Sequence, residues 1–354
     1  MQIGLVGLSN SGKTTLFQLL TGVKDPTGSQ GKTNRGVVKV PDSRVDYLSA
    51  QFKPKKTTFA TLEAIDIPGL IPGADRSTVS FLTTVREADV LVHVIQDFEN
   101  PEAPHLEGNL NPLRDLELVL YELLLADLDQ IEKRIQRMKT GKQNKVNEEE
   151  RALLHKLKDT LENEQPISSL EFSAEEELMV RNYRFLTAKP YVVVVNIDES
   201  RISDHETNHN SEIAEYCRAQ GIPLQFLSAR IESEIAELDG DERQLFLEEL
   251  NIVESGLVIV TRLVYSRLGL ISFFTVGEDE VKAWTITKGM AAREAAGKIH
   301  SDIERGFIRA EVIAYDDFAK AGSMAAARTE GTLRLEGKEY VVKDGDIIHF
   351  RFNV

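Results

Sequence analysis

Eight residues near the start, Gly7-Leu8-Ser9-Asn10-Ser11-Gly12-Lys13-Thr14, restrict the possible folds of this chain more than any other feature. They match G-x-x-x-x-G-K-[ST]. The apolar run Ile3 to Val6 precedes them as a strand, and Thr15-Leu16-Phe17-Gln18-Leu19-Leu20 follows as a helix start. In that setting the glycines let backbone N–H groups converge on phosphates. Lys13 can reach the β and γ oxygens, and the Thr14 hydroxyl can bind Mg²⁺. Asn10, Ser11, Gly12, Lys13, Thr14 and Thr15 are therefore candidate nucleotide-binding residues, with Lys13 also a catalytic candidate.

Further apolar runs at Ala64 to Ile67, Val90 to Ile95, Tyr191 to Val195 and Pro223 to Leu227 predict more strands. Alternating with helical patterns, they predict an α/β fold: a mostly parallel sheet with helices on both faces. Asp66-Ile67-Pro68-Gly69 ends the second strand as D-x-x-G. Its carboxylate can hold Mg²⁺ through water, and the Gly69 N–H can meet the γ-phosphate, a second catalytic candidate. Leu70 follows, where many GTPases go on to place a water-orienting glutamine. An aliphatic side chain cannot orient or deprotonate water, so intrinsic hydrolysis should be slow or use a group supplied elsewhere.

Asn196-Ile197-Asp198-Glu199 follows the fourth strand, where such folds place the base-reading N-K-x-D. Here the fourth position is Glu199, one methylene longer, and Ile197 replaces the lysine. Guanine specificity is thus not expected to be strict, and a changed pocket could admit adenine with its exocyclic donor. Ser228-Ala229-Arg230 after the fifth strand resembles an S-A-K base-backing loop, making Ser228 and Ala229 candidates.

Between the third and fourth strands, Leu124, Leu128, Ile131, Ile135 and Met138 follow a 4-3-4-3 spacing. With Leu154, Leu157 and Leu161 they predict an inserted antiparallel helical hairpin, its basic cluster Lys133, Arg134, Arg137, Lys139, Lys142 and Lys145 offering a polyanion contact. In the last 85 or so residues, strands at Ile271 to Val276, Ala283 to Ile286 and Tyr340 to Val342 with a helix over Gly289 to Glu304 predict a small α+β domain. The expected division is 1–125 with 182–265 for nucleotide binding, 126–181 for the hairpin, and 266–354 for the last domain.

Forty-two Lys and Arg against 57 Asp and Glu leave a net charge of −15, which opposes indiscriminate binding to nucleic acid or anionic membranes. No DNA contact and no membrane contact is expected. The single cysteine, Cys217, cannot form an intramolecular disulfide or a cysteine-rich zinc cluster, and a cytoplasmic setting is expected. His93, His105 and His300 read as structural, since no neighbours in sequence complete an acid–base pair.

Taken with Gly36-Val37-Val38-Lys39-Val40-Pro41-Asp42-Ser43-Arg44, Arg86-Glu87-Ala88-Asp89, Ala126-Asp127-Leu128-Asp129, Leu186-Thr187-Ala188-Lys189-Pro190, Ala296 to Asp302, Gly306 to Glu311 and Val342 to Asp346, these motifs resemble the YchF/Obg-like ATPase family over essentially the whole chain. The resemblance implies a P-loop nucleotide domain, an inserted helical hairpin and a C-terminal TGS (ubiquitin-like) domain. It implies an ATPase, often also accepting GTP, that binds Mg²⁺, associates with ribosomal RNA or protein, and is linked to translation and stress responses. The family's N-x-x-E falls on Asn196 and Glu199, and its aliphatic replacement for glutamine on Leu70. In relatives of this class an asparagine at the Asn10 position can help hold K⁺ beside the phosphates.

Two segments depart from that family. Val23 to Arg35 replaces the P-F-C-T-I-E-P switch, leaving Thr33 as the nearest candidate for Mg²⁺ and γ-phosphate. Gly73-Ala74-Asp75-Arg76 runs quickly into Phe81-Leu82 without G-E-G-L-G. Weaker or differently controlled switching is expected, as in a divergent paralogue.

Overall fold

A computed structural model describes residues 1–23, 34–71, 81–101, 104–106, 108–140, 148–204, 207–208 and 211–353. Thr33, the Gly73–Arg76 segment, and Lys142 and Lys145 of the basic cluster lie outside the described residues. The chain divides into two units, Met1–Val37 with Glu63–Val260, and Val38–Leu62 with Thr261–Val354.

The first unit is built on strands β1 (Gln2–Val6), β2 (Asn34–Lys39), β4 (Thr61–Asp66), β5 (Val90–Asp97), β6 (Tyr191–Ile197) and β7 (Leu224–Leu227), in the order β2-β4-β1-β5-β6-β7. From β4 to β7 every neighbouring pair is parallel. Every residue from Val90 to Ile95 is buried, as a strand covered on both faces requires. All five strands anticipated for this sheet are present, within three residues at their ends. β2 was not, because Asn34-Arg35-Gly36-Val37-Val38-Lys39 lacks a clean apolar run.

Helix α1 (Lys13–Thr21) follows β1 and stops at Gly22, whose left-handed backbone lets its N–H cap the Gln18 carbonyl. After α2 (Ser43–Phe52) in the second unit comes the long α3 (Pro112–Thr140), then α4 (Glu148–Glu162) and α5 (Ala174–Tyr183). Leu124, Ile131 and Ile135 of α3 pack against Leu153, Leu154, Leu157 and Leu161 of α4, with Leu128 and Met138 at the margin, which is the expected hairpin seam. Burying each such leucine is worth about 1.5–3 kcal/mol. Asp127, fully buried, ties the base of the hairpin down: it accepts from the Leu186 and Thr187 N–H groups (3.0 and 2.8 Å) and from the Thr187 hydroxyl (2.9 Å). Nearer the sheet, α3 packs through Leu116, Val119 and Leu123, joined by Ile213 and Cys217 of α6 (Glu212–Ala219). Helix α7 (Ala229–Glu237) follows β7.

The second unit carries a separate sheet, β11 (Arg334–Glu336), β10 (Phe307–Ala314), β12 (Asp346–Phe352), β8 (Leu270–Thr275), β9 (Glu280–Thr287) and β3 (Lys56–Thr58), in that order. Phe273, Ile286, Val312 and Ile348 of this sheet enclose Ala292, Ala295 and Ala296 of the helix Ala292–Ile299. Two expectations are corrected. The helix predicted over Gly289 to Glu304 breaks at His300, which is extended and whose Nδ1 accepts from the Asp302 N–H to cap a new helix, Ser301–Arg305. Tyr340 to Val342 is no strand; Val341 makes only an isolated bridge to Ala291. β10 and β12, which pair antiparallel, were missed because their polar and apolar residues do not alternate strictly.

Candidate nucleotide-binding site

The loop after β1 turns through two left-handed residues, Asn10 (φ 69°) and Gly12 (φ 91°), a concave arrangement that points successive N–H groups to one side. Gly12 is required on two counts. Its φ strains any side chain, and a Cβ would lie 2.4 Å from Asn196 Nδ2. Gly12 also occupies the N-cap of α1 without a side-chain cap, and no acidic residue lies in the first turn. The helix start therefore keeps its N–H groups and positive dipole end for an anion.

This loop lines a cavity of about 800 Å³. Asn10, Gly12, Lys13, Thr14, Thr15, Asp66, Gly69, Asn196, Glu199, Ser228 and Ala229 all border it, so the structure gathers nearly every sequence-proposed residue at one site. Ser11 is buried behind the loop instead. The site sits at the carboxyl ends of the parallel strands, where open α/β sheets bind ligands.

Lys13 is only 5% exposed; its Nζ donates to the Leu8 carbonyl (2.5 Å) and the Ser11 hydroxyl (3.4 Å). Burial pulls its pKa down to about 8, with Asp66 partly opposing. Asp66 Oδ2 accepts from the Thr14 hydroxyl (3.0 Å) and from Asn34 Nδ2 (3.4 Å). Burial holds its carboxyl above the usual aspartate range despite those bonds and the Lys13 charge. Thr14 and Asp66 thus present two oxygens side by side, the donor pair a hard cation uses when phosphates and water complete its shell. Among the described residues no group of three His, Cys, Asp or Glu side chains could hold a metal by itself.

The D-x-x-G segment docks on the phosphate loop through backbone bonds: Leu70 N–H donates to the Gly7 carbonyl (3.0 Å), and Ser9 N–H to the Leu70 carbonyl (3.2 Å). Gly69 passes so close that a Cβ would meet the Ser9 Cα at 2.7 Å. Leu70 is fully buried, packed in the core with Val6, Leu8, Ile65 and Phe81. Its side chain is part of the fold's interior and is not among the cavity's lining.

Asn196 proves to be a strut. Its Nδ2 donates to the Ser11 carbonyl (3.3 Å) and its Oδ1 accepts from the Ala229 N–H (2.9 Å), joining the phosphate loop to the loop after β7. Asp198 is used locally, accepting from the Ser200 N–H and hydroxyl, which hold its carboxyl below the usual range. Glu199 remains at the cavity edge, ion-paired to Arg230 Nε at 3.1 Å, the two side chains 42% and 74% exposed.

Several neighbours were not foreseen. Asn34 and the segment Phe98-Glu99-Asn100-Pro101 border the site or its carboxylate, and Arg230, read in the sequence only as the third residue of the S-A-K-like loop, pairs with Glu199. The expectation that no partner completes a pair with the histidines is corrected. His105 Nε2 lies 2.6 Å from Asp115 Oδ2, both buried, because the turn into α3 folds Asp115 back on it; His300 lies 3.5 Å from Asp302.

A family model described as 50S ribosome-binding GTPase matches residues 2–197, and the YchF-GTPase C-terminal model, described as a protein of unknown function, matches residues 270–353. The ribosome-binding ATPase YchF of Bacillus subtilis (strain 168) is 45% identical over 361 residues, covering 99% of each chain. That of Escherichia coli O157:H7 is 40% identical over 360 residues, again 99% of each. The solved structure of the Schizosaccharomyces pombe YchF GTPase superimposes with a TM-score of 0.86 at 32% identity, covering 99% of this chain and 97% of that one.

Proposed function

Because this chain belongs to the YchF family and has the P-loop GTPase fold, we propose that it is a ribosome-binding nucleoside triphosphatase that prefers ATP and turns it over slowly. The observation that carries this reading is the convergence of Lys13, Thr14, Asp66 and Gly69 on one cavity in a chain similar along its whole length to ribosome-binding ATPases. A triphosphate would lie over the start of α1. Lys13 would exchange the Leu8 carbonyl for β- and γ-phosphate oxygens, and the Gly69 N–H would meet the γ-phosphate. Thr14 and Asp66 would hold Mg²⁺, which neutralises charge on the phosphates when bound. Glu199, held by Arg230, would accept from the exocyclic amine of adenine, with Ser228 and Ala229 behind the base and Asn196 bracing both loops.

Slow turnover follows from Leu70. Sealed in the core, it offers no group to orient water, so the attacking water depends on a group delivered by another residue or by the ribosome. The same observation favours a second reading, a nucleotide-dependent scaffold with little hydrolysis. Turnover stimulated by ribosomes supports the first; tight binding without turnover, with or without ribosomes, supports the second.

The division into nucleotide domain, hairpin and a TGS domain over 266–354 belongs to the same proposal, supported by the hairpin seam and by the second sheet. Cytoplasmic location is part of it too; no helix of the described residues is long and apolar enough to cross a membrane. K⁺ beside Asn10 is proposed as a stimulant; equal rates in NaCl and KCl would remove it. The deciding experiment is titration calorimetry of ATP and GTP with Mg²⁺ against the nucleotide-free protein and Lys13→Ala. Tighter ATP binding, lost in the variant, is expected; tighter GTP binding would overturn the assignment of Glu199.

A further inference from the structure

Glu199 and Arg230 reach the nucleotide cavity from different elements, and both stand on braced backbone. Glu199 opens the short helical turn Glu199–Arg201, which Asp198 caps by accepting from the Ser200 N–H (3.0 Å). Arg230 is the second residue of α7, whose first N–H, that of Ala229, is tied to Asn196. The two side chains meet through Arg230 Nε and Glu199 Oε2, and Glu234, one turn along α7, lies 3.9 Å from the same nitrogen. Both ion pairs thus engage the guanidinium at Nε, and its terminal nitrogens make no hydrogen bond among the described residues. Neither side chain is sealed away, so a base entering the cavity can touch both. An ion pair this exposed adds little to stability. What it supplies is a fixed acceptor beside a set of fixed, unused donors.

Resting on the ATP reading above, we infer that Arg230 is a specificity-determining residue. The Glu199 carboxylate accepts from the 6-amino group of adenine while a terminal Arg230 N–H donates to adenine N1. The Watson–Crick edge of adenine sets that donor and that acceptor side by side, matching the pair. Guanine instead presents two adjacent donors, N1–H and the 2-amino group, to a carboxylate reader. With the guanidinium charge on Oε2, Glu199 has one oxygen left for them. Asp198 cannot take the other donor, because it is already bound to the Ser200 N–H and hydroxyl. One guanine donor therefore loses its water without gaining a partner, and an unpaired polar group is the strongest ground on which a site rejects an analogue.

The test compares ATP, 1-deaza-ATP, in which a C–H replaces N1, GTP and ITP by calorimetry with Mg²⁺. It uses the full-length protein and Arg230→Met, which keeps the aliphatic stem and drops the donors. The wild type should bind 1-deaza-ATP about fivefold more weakly than ATP, the effect of one charged hydrogen bond at a partly exposed site. Arg230→Met should bind the two equally, and its preference for ATP over GTP should be smaller than that of the wild type. Should the variant fail to fold, the wild-type comparison of ATP with 1-deaza-ATP decides. Equal binding of those two by the wild type, or the same loss in Arg230→Met, would overturn the inference and leave the ATP preference standing. Tighter binding of ITP than of ATP would also overturn it, showing that the pair reads O6 and N1–H. GTP binding tighter than ATP in the wild type would instead remove the reading on which the inference rests, and the inference with it.

Discussion

The low pKa of Lys13 predicts that nucleotide binding is coupled to a proton. In the free protein the ammonium is buried with two neutral acceptors and loses its proton near pH 8. Triphosphate oxygens favour the charged form, so the bound pKa must lie higher. The sign follows: the lysine's full contribution is present below pH 8 and is lost as pH rises toward the bound pKa. With a free pKa of about 8, affinity for ATP should fall about tenfold between pH 7 and pH 9, which is about 1.4 kcal/mol. At pH 8 each binding event should take up about half a proton. Calorimetry in buffers of different ionisation enthalpy measures that uptake directly. The terminal phosphate, with its second ionisation near pH 6, is already fully charged in this range. Lys13→Arg, which cannot lose its proton here, should bind weakly but with a flat profile. Flat wild-type affinity from pH 7 to 9 with no proton uptake would refute the reasoning.

Other expectations follow from single contacts. Glu199→Ala should lower ATP affinity by roughly tenfold and narrow the difference from GTP, measured by competition with a fluorescent nucleotide; unchanged preference would show that the base is read elsewhere. Gly12→Ala should abolish nucleotide binding and also lower the thermal midpoint, because the left-handed backbone strains any side chain and the new methyl displaces the buried Asn196 from the Ser11 carbonyl. Asp127→Ala leaves three donors unanswered and should cost about 2–4 kcal/mol of stability in urea unfolding. Lys133→Glu with Lys139→Glu should weaken cosedimentation with ribosomes. Arg134 is left out of that variant because it is bonded to Glu150 and Tyr183 and its loss would disturb the hairpin itself.

Which of these features could be read from the chain depended on whether the cause was local. The glycine loop, the D-x-x-G turn, the buried strands and the heptad seam are set by neighbours a few residues apart, so their spacing alone marks them. β2 was hidden by a mixed pattern, and the helix break at His300 by an imidazole acting as a cap. The roles of Asn196, Leu70 and His105 were decided at long range. Asn196 carries a motif position that suggests contact with a base, yet it braces two loops because β6 brings it beneath Ser11 and beside Ala229. Leu70 occupies a position that suggested failed water chemistry, and the backbone pairing of its segment with Gly7 and Ser9 turns it into the core.

The sequence by itself determined that this is a phosphate-binding α/β protein with a helical insertion, since glycine placement and apolar period act through adjacent turns of the chain. Only the tertiary structure decided that Glu199 meets Arg230 and that Asp115 holds His105. Those outcomes depend on which strands lie side by side and which helix covers them, and no local spacing encodes that.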